Sequence, residues 1–198
     1  VLYDLASSRV LSVHHFDADA VGAITSEIRS AVAGVTFGIE RGDLFGLEPG
    51  SPSEHSDFPG VLHLPLASLI ERVTPAVKVL AYCQGLGCDA LASAVTAAVG
   101  GRATVTSSLV HDEFGLAELS VPGVTKATAL AELCAELDVD ASEVVAFGDM
   151  PNDAEMLDWA GRGYVTADAH PSLIARFPGV GACGDGGVGR MIRTLLIC

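Results

Sequence analysis

One stretch constrains this chain more than any other. Residues Glu143–Phe147 form an apolar, β-branched run that passes directly into Gly148-Asp149-Met150-Pro151-Asn152-Asp153. Such a run predicts a strand buried on both faces of a parallel sheet. Pro151 then opens a helix reaching Trp159, since proline lacks only an N–H that the first helical turn leaves unpaired anyway. In open α/β sheets ligands bind beyond the carboxyl ends of the strands. Asp149 therefore stands where a carboxylate could hold Mg²⁺, a hard cation that takes oxygen ligands and keeps substrate phosphate in its shell. Gly148 lets the backbone approach closely. Asn152 and Asp153, at a helix N-terminus, could position a phosphate or water and brace the metal ligand. The alternative is that Asp149 only caps the helix; a cap, however, does not require the polar and glycine residues around it.

The rest of the C-terminal part keeps the same β/α rhythm. Lys126–Leu137 is a helix with Leu130, Leu133, Cys134 and Leu137 on one face, Gly163–Thr166 a strand, Pro171–Phe177 a short helix and Gly187–Leu196 a terminal helix. This pattern is the tail of a doubly wound α/β domain with only two strands visible, too few to stand alone. Upstream the organisation differs. Val1–Leu5 and Val10–His14 predict a hairpin, and Asp17–Ala33 a helix with Val21, Ile24, Ile28 and Val32 at a spacing near 3.6. Strands follow at Val35–Glu40, Val77–Tyr82, Ala103–Ser107 and Leu116–Ser120, helices at Leu66–Arg72 and Cys88–Val99, and a loop at Glu48–Pro59. Together they predict a small α+β layer.

Composition removes several function classes. With 11 basic and 25 acidic residues the net charge is 11 − 25 = −14, the wrong sign for displacing counterions from nucleic acid. No apolar run approaches the ~20 residues that span a bilayer, so no membrane partner is expected. Five cysteines, an odd number in a chain with 49% apolar residues, suit a reduced thiol inventory, and with no initiator Met and no signal peptide in view a cytoplasmic location is expected. Cys83 and Cys88 lack a zinc spacing and a second pair, which predicts buried thiols. His14 and His15 fall on opposite faces of a strand and cannot converge on one metal. Ser51–Asp57, with Glu54 and His55, reads as a solvated linker, the alternative being a substrate-sensing loop.

Lys126 follows Gly123-Val124-Thr125. Thr125 predicts an N-cap, and a cation in the first turn opposes the helix dipole, which makes sense if it faces a phosphate or a carboxylate beside a metal; otherwise it is a surface lysine. The set Gly123-Val124-Thr125-Lys126, then Phe147-Gly148-Asp149-x-x-Asn152-Asp153-x-x-Met156-Leu157, resembles the haloacid dehalogenase-like (HAD) phosphatases, in particular the Cof-like sugar-phosphatase branch with a large α/β cap. Gly163–Thr166, His170-Pro171 and Asp185-Gly186-Gly187-Val188 are similar to that branch's closing elements. The resemblance is close over residues 121–198 and general over 1–120. It implies an α/β fold, with the C-terminal half of a Rossmann-like HAD core at 121–198, an inserted α+β cap at 12–120, and a core remnant at 1–11. It further implies that Lys126 steadies phosphate and nucleophile, that Asp149 binds Mg²⁺, and that Asn152 and Asp153 support them.

The departure from the family pattern is equally specific. The resemblance calls for an upstream Asp-x-Asp-Gly-Thr carrying the nucleophile and the general acid/base. The only Asp-x-Asp here is Asp17-Ala18-Asp19, followed by Ala20-Val21 and leading straight into a helix, so capping is the expected role of Asp17. The chain is thus expected to be the cap and C-terminal half of a Mg²⁺-dependent phosphomonoesterase for a small, sugar-like phosphorylated metabolite, working through an aspartyl-phosphate. As such a fragment it would lack the nucleophile, be inactive alone, and self-associate through an exposed core edge. The alternative is a non-catalytic phosphate- and metal-binding module derived from that fold.

Overall fold

The chain folds as two units, Val1–Val124 and Thr125–Cys198; the structure, a computed structural model, describes residues 1–52, 57–107 and 113–197. The first unit opens with an antiparallel ribbon, β1 (Leu2–Asp4) against β2 (Arg9–Ser12). Its turn is held by the Asp4 carboxylate, which accepts from the Ala6 amide and the Ser7 hydroxyl. His14 and His15 lie beyond β2 and are exposed. Helix α1 (Ala18–Ala31) follows, and Asp17 caps it: Oδ1 accepts from the Ala20 amide at 2.8 Å. Val21, Ile24 and Ile28 are buried along it at the predicted spacing.

The remaining elements are β3 (Thr36–Glu40), β4 (Phe45–Leu47), β5 (Leu62–His63), α2 (Leu66–Val73), β6 (Lys78–Gln84), α3 (Cys88–Val99), β7 (Thr104–Thr106) and β8 (Phe114–Ser120). Among the described residues six strands form one sheet in the order β5-β4-β3-β6-β8-β7, antiparallel throughout except for β4 with β5. Successive residues of a strand point to opposite faces, and here the two parities have different fates. Phe37, Ile39, Val79, Ala81 and Leu119 pack with Ile24, Leu69 and Leu91 of the three helices. Leu47, Leu80, Tyr82, Phe114 and Leu116 form a separate cluster. At roughly 1.5–3 kcal/mol for each large side chain fully buried, the helix-covered face carries most of this unit's stability. Strands β4 and β5 lie in stretches where sequence reading finds none, because three and two residues are too short to display a period. The described part of Glu48–Pro59 has no helix or strand, while Glu54 and His55 lie outside the described residues.

The second unit contains α4 (Lys126–Leu137), β9 (Val145–Gly148), α5 (Ala154–Trp159), β10 (Arg162–Val165), α6 (Pro171–Ile174) and α7 (Gly187–Ile197). β9 and β10 pair in parallel with Phe147 opposite Tyr164, and those rings stack at 5.7 Å. Several boundaries differ from expectation. The strand begins at Val145 because Ala141–Glu143 forms a 3₁₀ turn capped by Asp140. The helix predicted from Pro151 opens as a 3₁₀ turn, Pro151–Asp153, before becoming α-helical at Ala154. Only Ala146 and Gly148 of β9 are fully buried, so the strand is half-covered here rather than enclosed on both faces. On α4 the buried positions are Ala127 and Cys134, and Leu137 is 62% exposed. The unit's core is Ala146, Leu157, Ala160, Val165, Ala169 and Leu173. Among the described residues no helix is long and apolar enough to cross a membrane.

Candidate active site

At the carboxyl end of β9 the chain turns sharply, and glycine is required there for a reason of packing. A Cβ on Gly148 would stand 2.5 Å from Cβ and 2.9 Å from Oδ2 of Asp153, distances no side chain tolerates. With only hydrogen at that position, Asp153 folds back onto the strand end and is 3% exposed. Its Oδ2 accepts from the amides of Asp149 at 2.9 Å and Met150 at 3.0 Å. Its Oδ1 accepts from Lys126 Nζ at 2.5 Å. One buried carboxylate thereby fastens the loop after β9 to the first residue of α4, and its oxygens are committed to that task. Burial opposes its charge, yet the hydrogen bonds from Lys126 and the two amides outweigh burial and hold its pKa below the ordinary carboxylate value.

Lys126 sits where it does because Thr125 caps α4: Thr125 Oγ1 accepts from the Thr128 amide at 3.2 Å, and Thr128 Oγ1 accepts from the Thr125 amide at 2.9 Å. A lysine in the first turn works against the helix dipole, and Asp153 is the carboxylate that compensates it. The lysine side chain remains 51% exposed, so an ammonium with three donors can meet a second anion from the solvent side.

Asp149 is exposed at the strand end, and its backbone is fixed from both directions, the amide by Asp153 and the carbonyl by the His170 amide at 2.7 Å. It does not cap the following turn; the carboxylate taking the local amides is Asp153. Asn152 is partly buried, and its Oδ1 is buried without a hydrogen-bond partner. An exposed carboxylate and, three residues further on, an unpartnered amide oxygen are hard oxygen donors, the chemistry that suits Mg²⁺. That ion is ordinarily held by one or two protein carboxylates, with water and phosphate filling its octahedron. Among the described residues no three His, Cys, Asp or Glu side chains gather as a ready-made metal cage, so the fit is to an ion of that open kind.

The structure thus brings Lys126, Asp149 and Asp153 onto one loop-and-helix junction, with Asn152 in the same turn. What sequence reading did not find is the direct Lys126–Asp153 pair; its signal was the misplaced cation at the head of a helix. Asp17 is occupied as a cap in the first unit. Cys83 and Cys88 are buried free thiols.

A family model described as haloacid dehalogenase-like hydrolase matches residues 4–192. An HMP-PP phosphatase of Citrobacter koseri is 39% identical over 87 residues, covering 44% of this chain and 30% of that protein. The chain thus matches less than a third of that curated relative's length. Solved structures share the fold. The phosphatase BT1666 of Bacteroides thetaiotaomicron, from the HAD superfamily, superposes with a TM-score of 0.74 at 18% identity, over 97% of this chain and 69% of that one. The subclass IIB sugar phosphatase BT4131 does so with a TM-score of 0.74 at 13% identity, over 93% and 68%. The α/β architecture with a Rossmann-like core is the one these structures have in common with it.

Proposed function

The chain belongs to the haloacid dehalogenase-like hydrolase family, and from that premise we propose that its residues serve the Mg²⁺-dependent hydrolysis of a small phosphate monoester. One observation carries the reading. A half-exposed ammonium is held on a buried carboxylate that also fixes the backbone of an exposed aspartate. A phosphoryl group needs a cation and a metal ligand set out in advance of the reaction.

In this reading Lys126 donates to the phosphoryl oxygens and offsets the charge that builds as the P–O bond breaks. Asp149 would hold Mg²⁺, with Asn152 Oδ1 as a further oxygen donor or as the acceptor for a metal-bound water. The bound ion would supply charge neutralisation on the phosphate. Asp153 touches neither; it is a positioning residue that sets the height of the ammonium and the course of the Asp149 loop. The attacking carboxylate is assigned to none of these residues, nor to Asp17. Residues 12–120, within the first unit, would choose the substrate as a cap. Sugar phosphates are the class that the like-folded sugar phosphatase suggests, and the HMP-PP phosphatase relative extends the choice to other phosphorylated metabolites. The free thiols of Cys83, Cys88, Cys134 and Cys183 support placing the reaction in the cytoplasm.

The test is hydrolysis of p-nitrophenyl phosphate by the natural protein carrying these residues, with and without Mg²⁺. Asp149→Asn is expected to abolish the Mg²⁺ stimulation, and Lys126→Met to lower kcat by roughly 10²–10³, the range for removing one preorganised group that stabilises transition-state charge. Turnover that survives Asp149→Asn unchanged removes the metal role. Binding of phosphate and Mg²⁺ without any turnover assigns the site to a non-catalytic module instead.

A further inference from the structure

Asp149 is held by more of the second unit than Asp153. The chain leaving β10 turns tightly, with the Ala169 amide donating to the Thr166 carbonyl at 3.1 Å. This turn reaches the backbone on both sides of the Asp149 Cα. The Thr166 amide donates to the Gly148 carbonyl at 3.3 Å, and the His170 amide to the Asp149 carbonyl at 2.7 Å. A Cα–Cβ bond takes its direction from the backbone on either side of it, so whatever places this turn also aims the Asp149 side chain.

Two attachments place the turn. One is apolar: Ala169 and Leu173 are buried in the core of the unit. The other is polar and runs through Asp168. Residues 178–181 lie alongside β10: the Val165 amide donates to the Pro178 carbonyl at 3.0 Å, the Val180 amide to the Val165 carbonyl at 2.9 Å, and the Ala167 amide to the Gly181 carbonyl at 3.0 Å. Past Ala167 the backbone leaves this ladder for the turn, and a side chain makes the next rung. Asp168 Oδ1 accepts from the Cys183 amide at 3.1 Å. The Thr166 hydroxyl and then the Cys183 amide hold the Asp168 carboxyl below the ordinary carboxylate range, so the acceptor is ionised at neutral pH. An aspartate that served only its own turn would need no distant partner, and Asp4 and Asp140 bond amides two residues on. Asp168 joins residues 15 apart.

We propose that Asp168 is a positioning residue for Asp149. Its carboxylate ties the turn to residues 178–183, the turn fixes the two carbonyls that flank the Asp149 Cα, and the Asp149 carboxylate is thereby aimed before any ion arrives. Partners outside the ligand set govern metal affinity in this way, because a ligand left free to move must be ordered when the ion binds. Asp168 touches neither ion nor substrate. The proposal rests on the reading of Asp149 as the Mg²⁺ ligand, whereas the tie to Cys183 stands without it.

Asp168→Ala and Asp168→Asn in the intact chain test it, because asparagine keeps an oxygen for the Cys183 amide and alanine does not. Mn²⁺, which takes the same oxygen ligands as Mg²⁺, is the probe. Its binding is read from the electron paramagnetic resonance signal of the free ion, at a temperature where circular dichroism shows every variant folded. Asp168→Ala is expected to weaken Mn²⁺ binding by about three- to tenfold, less than the roughly 10–100-fold for residues bonded directly to a metal ligand, since Asp168 acts through one turn more. Asp168→Asn should stay within about twofold of the natural chain. In the metal-free chain, hydrogen exchange of the His170 amide should quicken by about tenfold in Asp168→Ala and hold in Asp168→Asn. A residue that only stabilised the fold would lower the thermal midpoint and leave the Mn²⁺ affinity of the folded protein alone. Unchanged affinity or unchanged His170 exchange in Asp168→Ala, or an asparagine variant as weak as the alanine one, would overturn the proposal; where Asp149→Asn still abolishes binding, the metal role of Asp149 survives. Binding that persists in Asp149→Asn, or no saturable binding by the natural chain, removes that metal role and this proposal with it.

Discussion

At the scale of single residues, Asp153 and Gly148 explain more of the candidate site than the two residues facing solvent. A carboxylate with three donors on it and 3% exposure fits only because position 148 has no side chain. Gly148→Ala is therefore expected to displace Asp153, costing about 1–3 kcal/mol as overpacking does, and to lower the thermal midpoint of the second unit. Because the folded pKa of Asp153 lies below its ordinary value of about 3.9, its pairing contributes stability that is fully present above that value. It is lost as pH falls through the depressed folded value. Lys126→Met removes the strongest donor and should move that loss to higher pH. Its cost at neutral pH should be about 1 kcal/mol rather than the larger penalty of a fully enclosed pair, since Lys126 is half exposed. Denaturation midpoints measured from pH 7 down to pH 3 check both statements. The sequence marked Asp149 and Lys126 for attention by residue type and spacing. It did not mark the bond between Lys126 and Asp153, because nothing local relates residues 27 apart.

At the scale of elements, local chemistry was largely sufficient. Cys88–Val99 and Lys126–Leu137 run between the residues that periodicity predicts. The first is closed by Gly100 in the left-handed conformation at φ 56° and the second opened by the Thr125 cap. Asp17 is the decisive case, because its motif invites a catalytic reading and its hydrogen bond shows a cap. Asp17→Ala should cost the first unit about 1 kcal/mol of stability and leave aryl phosphate hydrolysis unchanged under conditions where both proteins are folded. A loss of turnover in a folded Asp17→Ala protein would contradict its assignment as a cap. Where local reading fell short, the cause was length or competition. Phe45–Leu47 and Leu62–His63 are too short to show alternation, and Pro151–Asp153 takes a 3₁₀ turn because Asp153 must bond back to the strand end rather than onward into a helix.

At the scale of the whole molecule, the ribbon β1–β2 leaves Val1, Tyr3, Leu5, Val10, Leu11 and Val13 between 43% and 86% exposed. Exposed apolar side chains in this number favour association, so the 198-residue chain is expected to self-associate with rising concentration. Leu5→Ser with Val10→Thr should shift sedimentation velocity profiles toward the monomer; an unchanged distribution would show that the ribbon is not the contact. Binary patterning, caps and turn residues are properties of neighbours along the chain, and they determined the order of the longer elements, the α/β class, and the position of an aspartate at the end of β9. Two things depended on tertiary structure alone. One is the carboxylate that receives Lys126, which is decided where the head of α4 meets the turn after β9. The other is the gathering of Phe45, Tyr82 and Phe114 from three strands onto one helix-free face. Each is set by register and packing between segments far apart in sequence, and such contacts exist only once the chain has closed on itself.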